Sequence, residues 1–150
     1  PCACRCSARV AGLLARAEQR QAHGLTVLCL HRVLPAAERA RYYDPDLAVT
    51  PEGLRKICEI ATEHYEVLQL CETFELWRRG EWADRPYLSM TFDDGYRDNF
   101  MYAAPVLAEH SMLATFFVVA GLVDSGERPW YDVVGAAWQA GARQPGPHAQ

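Results

Sequence analysis

The sequence predicts an α/β fold with parallel strands, and two observations carry this prediction. Apolar runs of strand composition alternate about four times with segments of helical spacing, which is typical of parallel strands joined by crossover helices. The 150 residues are 50% hydrophobic and 23% charged, the balance of a globular domain. A closed α/β barrel takes about 250 residues. We therefore expect part of a barrel, with an open strand edge.

The first elements follow from local pattern. Residues 8–21 are predicted as a short helix, because their apolar side chains recur on one face. The run Leu25 to Leu30 is apolar and β-branched and fits a buried strand with polar His31 at its exit. The charged stretch from Pro35 to Pro45 has a proline at each end and is predicted as a surface loop.

A helix start is predicted at Thr50 and Pro51, since the hydroxyl can cap free amides and proline is tolerated in a first turn. The apolar residues that follow have one-sided helical spacing. Residues 65–70 have strand composition, and residues 72–79 read as a helix that ends at Gly80.

The second half continues the alternation. It predicts strands over residues 87–92 and 114–120 and helices over about 99–110 and 131–140. Residues 141–150 are rich in Gly, Pro and polar residues and are predicted as a tail. The chain thus divides into an N-terminal basic extension (1–24), an α/β part (25–140) and a tail (141–150).

Composition excludes several classes of protein. The apolar run over 113–123 is too short to cross a bilayer and is predicted as a buried strand. The net charge of −4 divides into +5 over residues 1–41 and −9 over 42–150. Because the basic residues do not form an unbroken cluster, a solvated basic helix is favoured over an anionic-surface contact, and no nucleic-acid partner is expected. The six cysteines form no pair of Cys-x-x-Cys knuckles and are interpreted as ordinary thiols, three crowded before residue 7 and three single in apolar segments.

The most informative segment is the end of the strand predicted over residues 87–92. It delivers Asp93 and Asp94 side by side, and Gly95 lets the chain turn tightly. The carboxyl end of a parallel strand is where α/β folds place their chemistry. Adjacent carboxylates repel unless a cation or several donors neutralise one of them, so a divalent metal is one interpretation. In the other, both acids form a turn and cap the next helix.

Three segments in order resemble the polysaccharide deacetylase family, the NodB-homology carbohydrate esterases similar to carbohydrate esterase family 4. Residues 91–96, Thr-Phe-Asp-Asp-Gly-Tyr, with Asp-Asn at 98–99, resemble its first motif. Residues 28–33 resemble its first strand with a His-Arg exit, and residues 114–118 resemble the strand after the acidic motif. The resemblance covers about residues 25–132 and implies the first part of a distorted (β/α) barrel.

The resemblance implies a function and site residues. The family removes N-acetyl, sometimes O-acetyl, groups from sugar polymers, so an acetylated polysaccharide or oligosaccharide is the expected substrate. Asp93 would be the general base and Asp94 a ligand of a divalent metal, with zinc the expected ion. His31 would line the same mouth and orient Asp93, or be satisfied by loop backbone instead. Tyr96 would border the cleft and stack on a sugar, or serve packing alone; residues 115–117 are expected in the core.

The sequence also departs from the family. The two metal-binding histidines of a His-Ser/Thr-x-x-x-His segment do not occur at that spacing, and we expect them beyond Gln150. The chief alternative is therefore a non-catalytic or carbohydrate-binding remnant that keeps the acidic strand. Dehalogenase-type, calcium-loop and nucleotide-binding patterns do not fit the spacing. The family allows a cell-envelope or extracellular location, but no signal peptide is visible, and compartment, oligomeric state and exact polymer stay open.

Overall fold

Between residues 24 and 141, which the computed structural model describes, short parallel strands alternate with helices. The strands are β1 (Leu25–Leu30), β2 (Arg32–Val33), β3 (Ala48–Val49), β4 (Glu66–Val67), β5 (Tyr87–Phe92) and β6 (Thr115–Phe116). The α-helices are α1 (Ala36–Arg39), α2 (Pro51–His64), α3 (Leu70–Arg79), α4 (Ala104–Glu109) and α5 (Trp130–Gly141). Pro45–Leu47 and Ala120–Leu122 are 3₁₀ turns, and a π-helical turn, Asn99–Ala103, leads into α4. The helix predicted over 8–21 and the tail after Gly141 lie outside the described residues.

The main sheet is built around β5, which pairs in parallel with β1, β4 and β6. The register of β1 aligns Cys29 with Thr91 and Leu30 with Phe92. β2 and β3 form a separate parallel pair. These observations confirm the predicted α/β class, and the parallel sheet is consistent with part of a (β/α) barrel.

The two sides of the main sheet differ. We call the side that carries Leu30, Met90 and Phe92 the packed face, because it meets the buried apolar residues of α2 and α4. The opposite side, which carries Val27, Cys29 and Asp93, we call the open face, because side chains alternate along a strand. On it α3 covers the middle of the sheet: the Thr73 and Ser89 hydroxyls lie 2.7 Å apart, both fully buried.

Several predicted elements are confirmed. β1 and β5 have the predicted bounds. Thr50 caps α2 as predicted, because its Oγ1 accepts a hydrogen bond from the amide of Gly53 at 3.0 Å. Helix α3 ends at Gly80, whose φ of 70° satisfies the left-handed C-cap.

Other predictions were wrong in detail. The strand expected over 65–70 is only Glu66–Val67, because Leu70 already begins α3. The proline-bounded loop over 35–45 contains α1. The helix expected over about 99–110 is present over 99–109, but its first turn is π-helical and not α-helical. The strand expected over 114–120 pairs only at Thr115–Phe116.

The apolar segment after α4 was also predicted wrongly as core. Phe116 and Phe117 are 41% and 49% exposed. Phe116 stacks on Phe92 with ring centroids 5.0 Å apart, yet its side chain remains exposed. Cys29 is likewise exposed although it lies in an apolar strand. Hydrophobicity alone therefore does not predict burial at this edge.

Candidate active site

The turn after β5 holds the two predicted acids in an unusual backbone conformation. Asp94 has φ of 70° and Gly95 has φ of 66°, so two consecutive residues are left-handed. A Cβ at Gly95 would lie 2.9 Å from Val118 Cγ1. A non-glycine residue in this region carries backbone strain, and such strain clusters at functional sites. Glycine is thus required by both conformation and close approach.

Both carboxylates line one cavity of about 360 Å³ at the end of the open face. Its other walls come from β1, β5, the start of α3 and the segment after β6: Val27, Leu70, Thr91, Phe117, Val118 and Val119. Among the described contacts, neither Asp93 nor Asp94 accepts a hydrogen bond from a backbone amide. The helix cap expected under the turn-and-cap interpretation is therefore not formed in this part of the chain.

Asp93 lies beside two side chains from the end of β1. The Cys29 thiol donates a hydrogen bond to Asp93 Oδ2 over 3.2 Å. One ligand atom each of Cys29, His31 and Asp93 lies within 4.8 Å of the other two. The structure places His31 next to Asp93, as expected, but no hydrogen bond joins them within residues 24–141. Burial, then the Asp93 carboxylate, raises the pKa of Cys29.

Asp94 also borders a second cavity of about 280 Å³, together with His31, Tyr96 and Tyr131. The Tyr131 hydroxyl is buried and has no hydrogen-bond partner of good geometry in the described part of the chain. Burial first, and then the Asp94 carboxylate, raises the pKa of Tyr131 to about 12. The phenol is therefore protonated at neutral pH, with a donor near Asp94.

Arg32 anchors the wall of this second cavity. Its Nε and Nη2 donate to Asp98 Oδ2 at 2.9 and 2.7 Å, and Asp98 Oδ1 accepts the Val33 amide at 2.9 Å. The guanidinium lies 4.6 Å from the ring centroid of Tyr42 and 4.2 Å from that of Tyr96. The predicted sugar-stacking residue Tyr96 lies at the cavity, but one ring face is taken by Arg32.

Tyr42 extends the same network toward α5. Its hydroxyl donates to Asp132 Oδ1 at 2.8 Å, and Asp132 is 9% exposed. The link joins the loop after α1 to the start of α5, and it positions Tyr131 beside Asp94. Sequence reasoning missed Cys29, Arg32 and Tyr42 as members of the site. The alternation of side chains along β1 is the signal that puts Cys29 on the same face as His31.

The fit of a divalent metal at Asp94 can be tested against the side chains around it. Catalytic zinc takes three protein ligands plus water. Within residues 24–141, the metal-ligating side chains that converge are Cys29, His31 and Asp93, and Asp94 is not part of a group of three. The expected ligand set around Asp94 is therefore not completed by the described residues. The group of three donors that does form includes Asp93, the residue before Asp94, and not Asp94 itself.

Comparisons with known proteins bear on the fold and the family. The family model for polysaccharide deacetylase matches residues 81–144, which include the acidic strand end. No curated protein matches the chain significantly.

No helix among residues 24–141 has the length and apolarity to span a membrane.

Solved structures share the fold. Deacetylase PplD of Streptococcus pyogenes, in complex with acetate, aligns with a TM-score of 0.58 and 24% identity over 69% of this chain and 46% of that one. IcaB from Ammonifex degensii aligns with a TM-score of 0.57 and 25% identity over 76% and 48%. A de-N-acetylase from Aggregatibacter actinomycetemcomitans aligns with a TM-score of 0.55 and 20% identity over 78% and 51%. The chain spans about half the length of these structures.

Proposed function

Since the chain resembles the polysaccharide deacetylase family and has the corresponding α/β fold, we propose that it supplies the acidic part of a site that hydrolyses acetyl groups, mainly N-acetyl, from sugar polymers. The observation that carries the proposal is the pair Asp93 and Asp94. Both side chains line one cavity at the carboxyl end of the central strand, and Asp94 is held there in a strained backbone conformation.

Asp93 acts as the general base in this proposal. Its Oδ2 accepts the Cys29 thiol, while Oδ1 makes no hydrogen bond among the described residues. Asp93 takes a proton from a water whose oxygen attacks the acetyl carbonyl carbon. The new C–O bond forms, the C–N bond breaks, and Asp93 returns the proton to the leaving amine. The products are acetate and a free amino sugar.

Metal dependence through Asp94 is the finer part of the proposal. Asp94 supplies one carboxylate ligand, and because residues 24–141 do not complete the set around it, the other ligands have to come from outside them. Zinc is the expected ion, since it is the common metal of hydrolytic sites of this kind. The protonated, buried hydroxyl of Tyr131 lines the same cavity as Asp94 and is a donor available to that carboxylate.

The experiment joins residues 1–140 to the part of Ammonifex degensii IcaB that the chain does not match, and measures acetate release from an N-acetylglucosamine oligomer at rising zinc concentration. The chimera should release acetate. Asp93→Asn should lower the rate at least about 10²-fold at every zinc concentration, the usual worth of a general base. Asp94→Asn should raise the zinc concentration needed for half-maximal rate.

The matched control is Asp84→Asn, which makes the same change before β5, at the opposite end of that strand. It should leave the rate unchanged. A chimera with the circular dichroism of a folded protein that binds the oligomer but releases no acetate would favour the non-catalytic remnant. Equal effects of Asp93→Asn and Asp94→Asn on rate and zinc requirement would contradict the two separate roles.

A further inference from the structure

A second group of side chains with metal-binding chemistry lies next to the proposed base. Cys29 and His31 come from the end of β1, and Asp93 follows β5. The strand register continues past the paired residues, because the Asp93 amide donates to the Leu30 carbonyl at 2.9 Å. His31 is therefore level with Asp93, and alternation places Cys29 on the same open face. Adjacent parallel strands thus deliver three donors to one point.

The distances suit a shared ion. The three ligand atoms lie within 4.8 Å of one another. A tetrahedral ion with a metal–sulfur bond of about 2.3 Å and a metal–oxygen bond of about 2.0 Å holds its sulfur and oxygen ligands about 3.5 Å apart. Cys29 Sγ and Asp93 Oδ2 are 3.2 Å apart. A few tenths of an ångström of movement would therefore bring these two atoms to the separation that one ion requires, and the His31 ring nitrogen lies within 4.8 Å of both.

The donor types select the class of ion. One sulfur, one imidazole nitrogen and one carboxylate oxygen form a set for zinc and similar borderline ions. Calcium and magnesium prefer oxygen ligands alone and are disfavoured by the thiolate. Asp93 also lines the cavity of about 360 Å³, so a fourth position on such an ion would face open space.

We propose that Cys29 Sγ, a ring nitrogen of His31 and a carboxylate oxygen of Asp93 bind one zinc-class divalent ion. The S–H bond breaks as the sulfur–metal bond forms, and the thiol proton passes to solvent. The ion would occupy Asp93, the residue assigned above as the base, so this site differs from one built on Asp94. An Asp93 carboxylate that holds this ion is not free to act as the base, so the bound ion would block that role. The test below measures binding and not hydrolysis, so its failure is distinguishable from failure of the proposed function.

The test titrates Co²⁺, which takes the ligands that zinc takes, into the full chain and follows the near-ultraviolet charge-transfer absorption of a cobalt–thiolate bond. In every arm Cys2, Cys4 and Cys6 are changed to Ser, so that they add no thiolate signal. The parent should show the band at one ion per chain, and excess Zn²⁺ should abolish it. Cys29→Ser should remove the band.

Matched variants separate the ligands from other exposed groups. Cys71→Ser, which changes another exposed thiol, should keep the band and the affinity. His31→Gln and Asp93→Asn should each weaken Co²⁺ binding more than about tenfold, the loss that even outer-shell changes produce. Asp84→Asn should not. Circular dichroism of each variant checks that the fold is kept.

A measurement on the unaltered chain needs no variant. Zn²⁺ should slow alkylation of Cys29 by iodoacetamide but leave Cys71 unaffected, as measured by mass spectrometry of the peptides that contain them. The proposal is overturned if the parent shows no thiolate band, if the band survives Cys29→Ser, or if the His31 and Asp93 variants titrate like the parent. Equal alkylation of Cys29 with and without Zn²⁺ would also overturn it.

Discussion

The packed face and the open face of the main sheet are made by alternate residues of the same strands, yet they serve different purposes. On the packed face Leu30, Met90 and Phe92 are buried against α2 and α4. On the open face Asp93 lines a cavity, and the exposed Cys29 thiol donates to its carboxylate. One face therefore supplies stability and the other carries the polar side chains of the proposed site, which is why substitutions one position apart should have unlike effects.

The largest difference in unfolding free energy is expected between alanine substitutions of two phenylalanines at the ends of neighbouring strands. Phe92 is fully buried, whereas Phe117 is 49% exposed. Phe92→Ala should lower the free energy of unfolding by about 3–5 kcal/mol, because it leaves a cavity in the core. Phe117→Ala should change it by less than about 0.5 kcal/mol. Urea unfolding followed by circular dichroism measures both, and equal losses would show that the two faces are equally packed.

The next largest effect is expected at the ion pair that fixes the cavity wall. Asp98 accepts hydrogen bonds from Arg32 and from the Val33 amide. Asp98→Asn removes the charge from these bonds and should cost roughly 1.5–3 kcal/mol of unfolding free energy. Asp84→Asn, on the exposed loop before β5, should cost almost nothing in the same urea titration. A loss no greater than that of the control would mean that the pair does not hold the wall.

A smaller effect on stability tests how closely the segment after β6 packs against the turn that follows β5. Gly95→Ala introduces both a left-handed alanine and a contact 2.9 Å from Val118 Cγ1. Gly126 is also left-handed, with φ of 70°, but a Cβ added there would have no atom within 4 Å. Gly126→Ala is therefore the control. The left-handed conformation alone should cost about 1–2 kcal/mol, and Gly95→Ala should cost more. Thermal unfolding of both proteins, with Val118→Ala to relieve the contact, separates the two causes.

The smallest effect is expected at an exposed pair between the two helices on the packed face. Arg55 Nε donates to Glu109 Oε2 at 2.8 Å, and this contact lowers the pKa of Glu109. A lowered carboxyl pKa contributes stability above the ordinary glutamate value and loses it as the pH falls through the folded value.

Glu109→Gln should therefore lower the urea midpoint slightly at neutral pH and not at about pH 2, where the carboxyl is protonated. The control is Glu127→Gln, because Glu127 is exposed, lies outside the helices and makes no ion pair among residues 24–141. A midpoint difference that is the same at both pH values would exclude the ionic origin, and high salt should reduce the effect.

The sequence by itself determined the elements whose signals are local. The apolar runs at residues 25–30 and 87–92, the cap at Thr50 and the glycine at 80 depend on short-range packing and backbone conformation, and their predictions are confirmed. The position of Asp93 and Asp94 at a strand end also followed from the residues alone, because a buried strand that meets two acids and a glycine has to end there.

Only the tertiary structure decided which side chains meet at that end. The pairing of β1 with β5 brings Cys29 to 3.2 Å from Asp93, although 64 residues separate them in the chain. The exposure of Phe117 likewise depends on what covers the sheet edge and not on its own hydrophobicity. Strand register and the covering of an edge are set by contacts between distant segments, and a pattern within one segment carries no information about them.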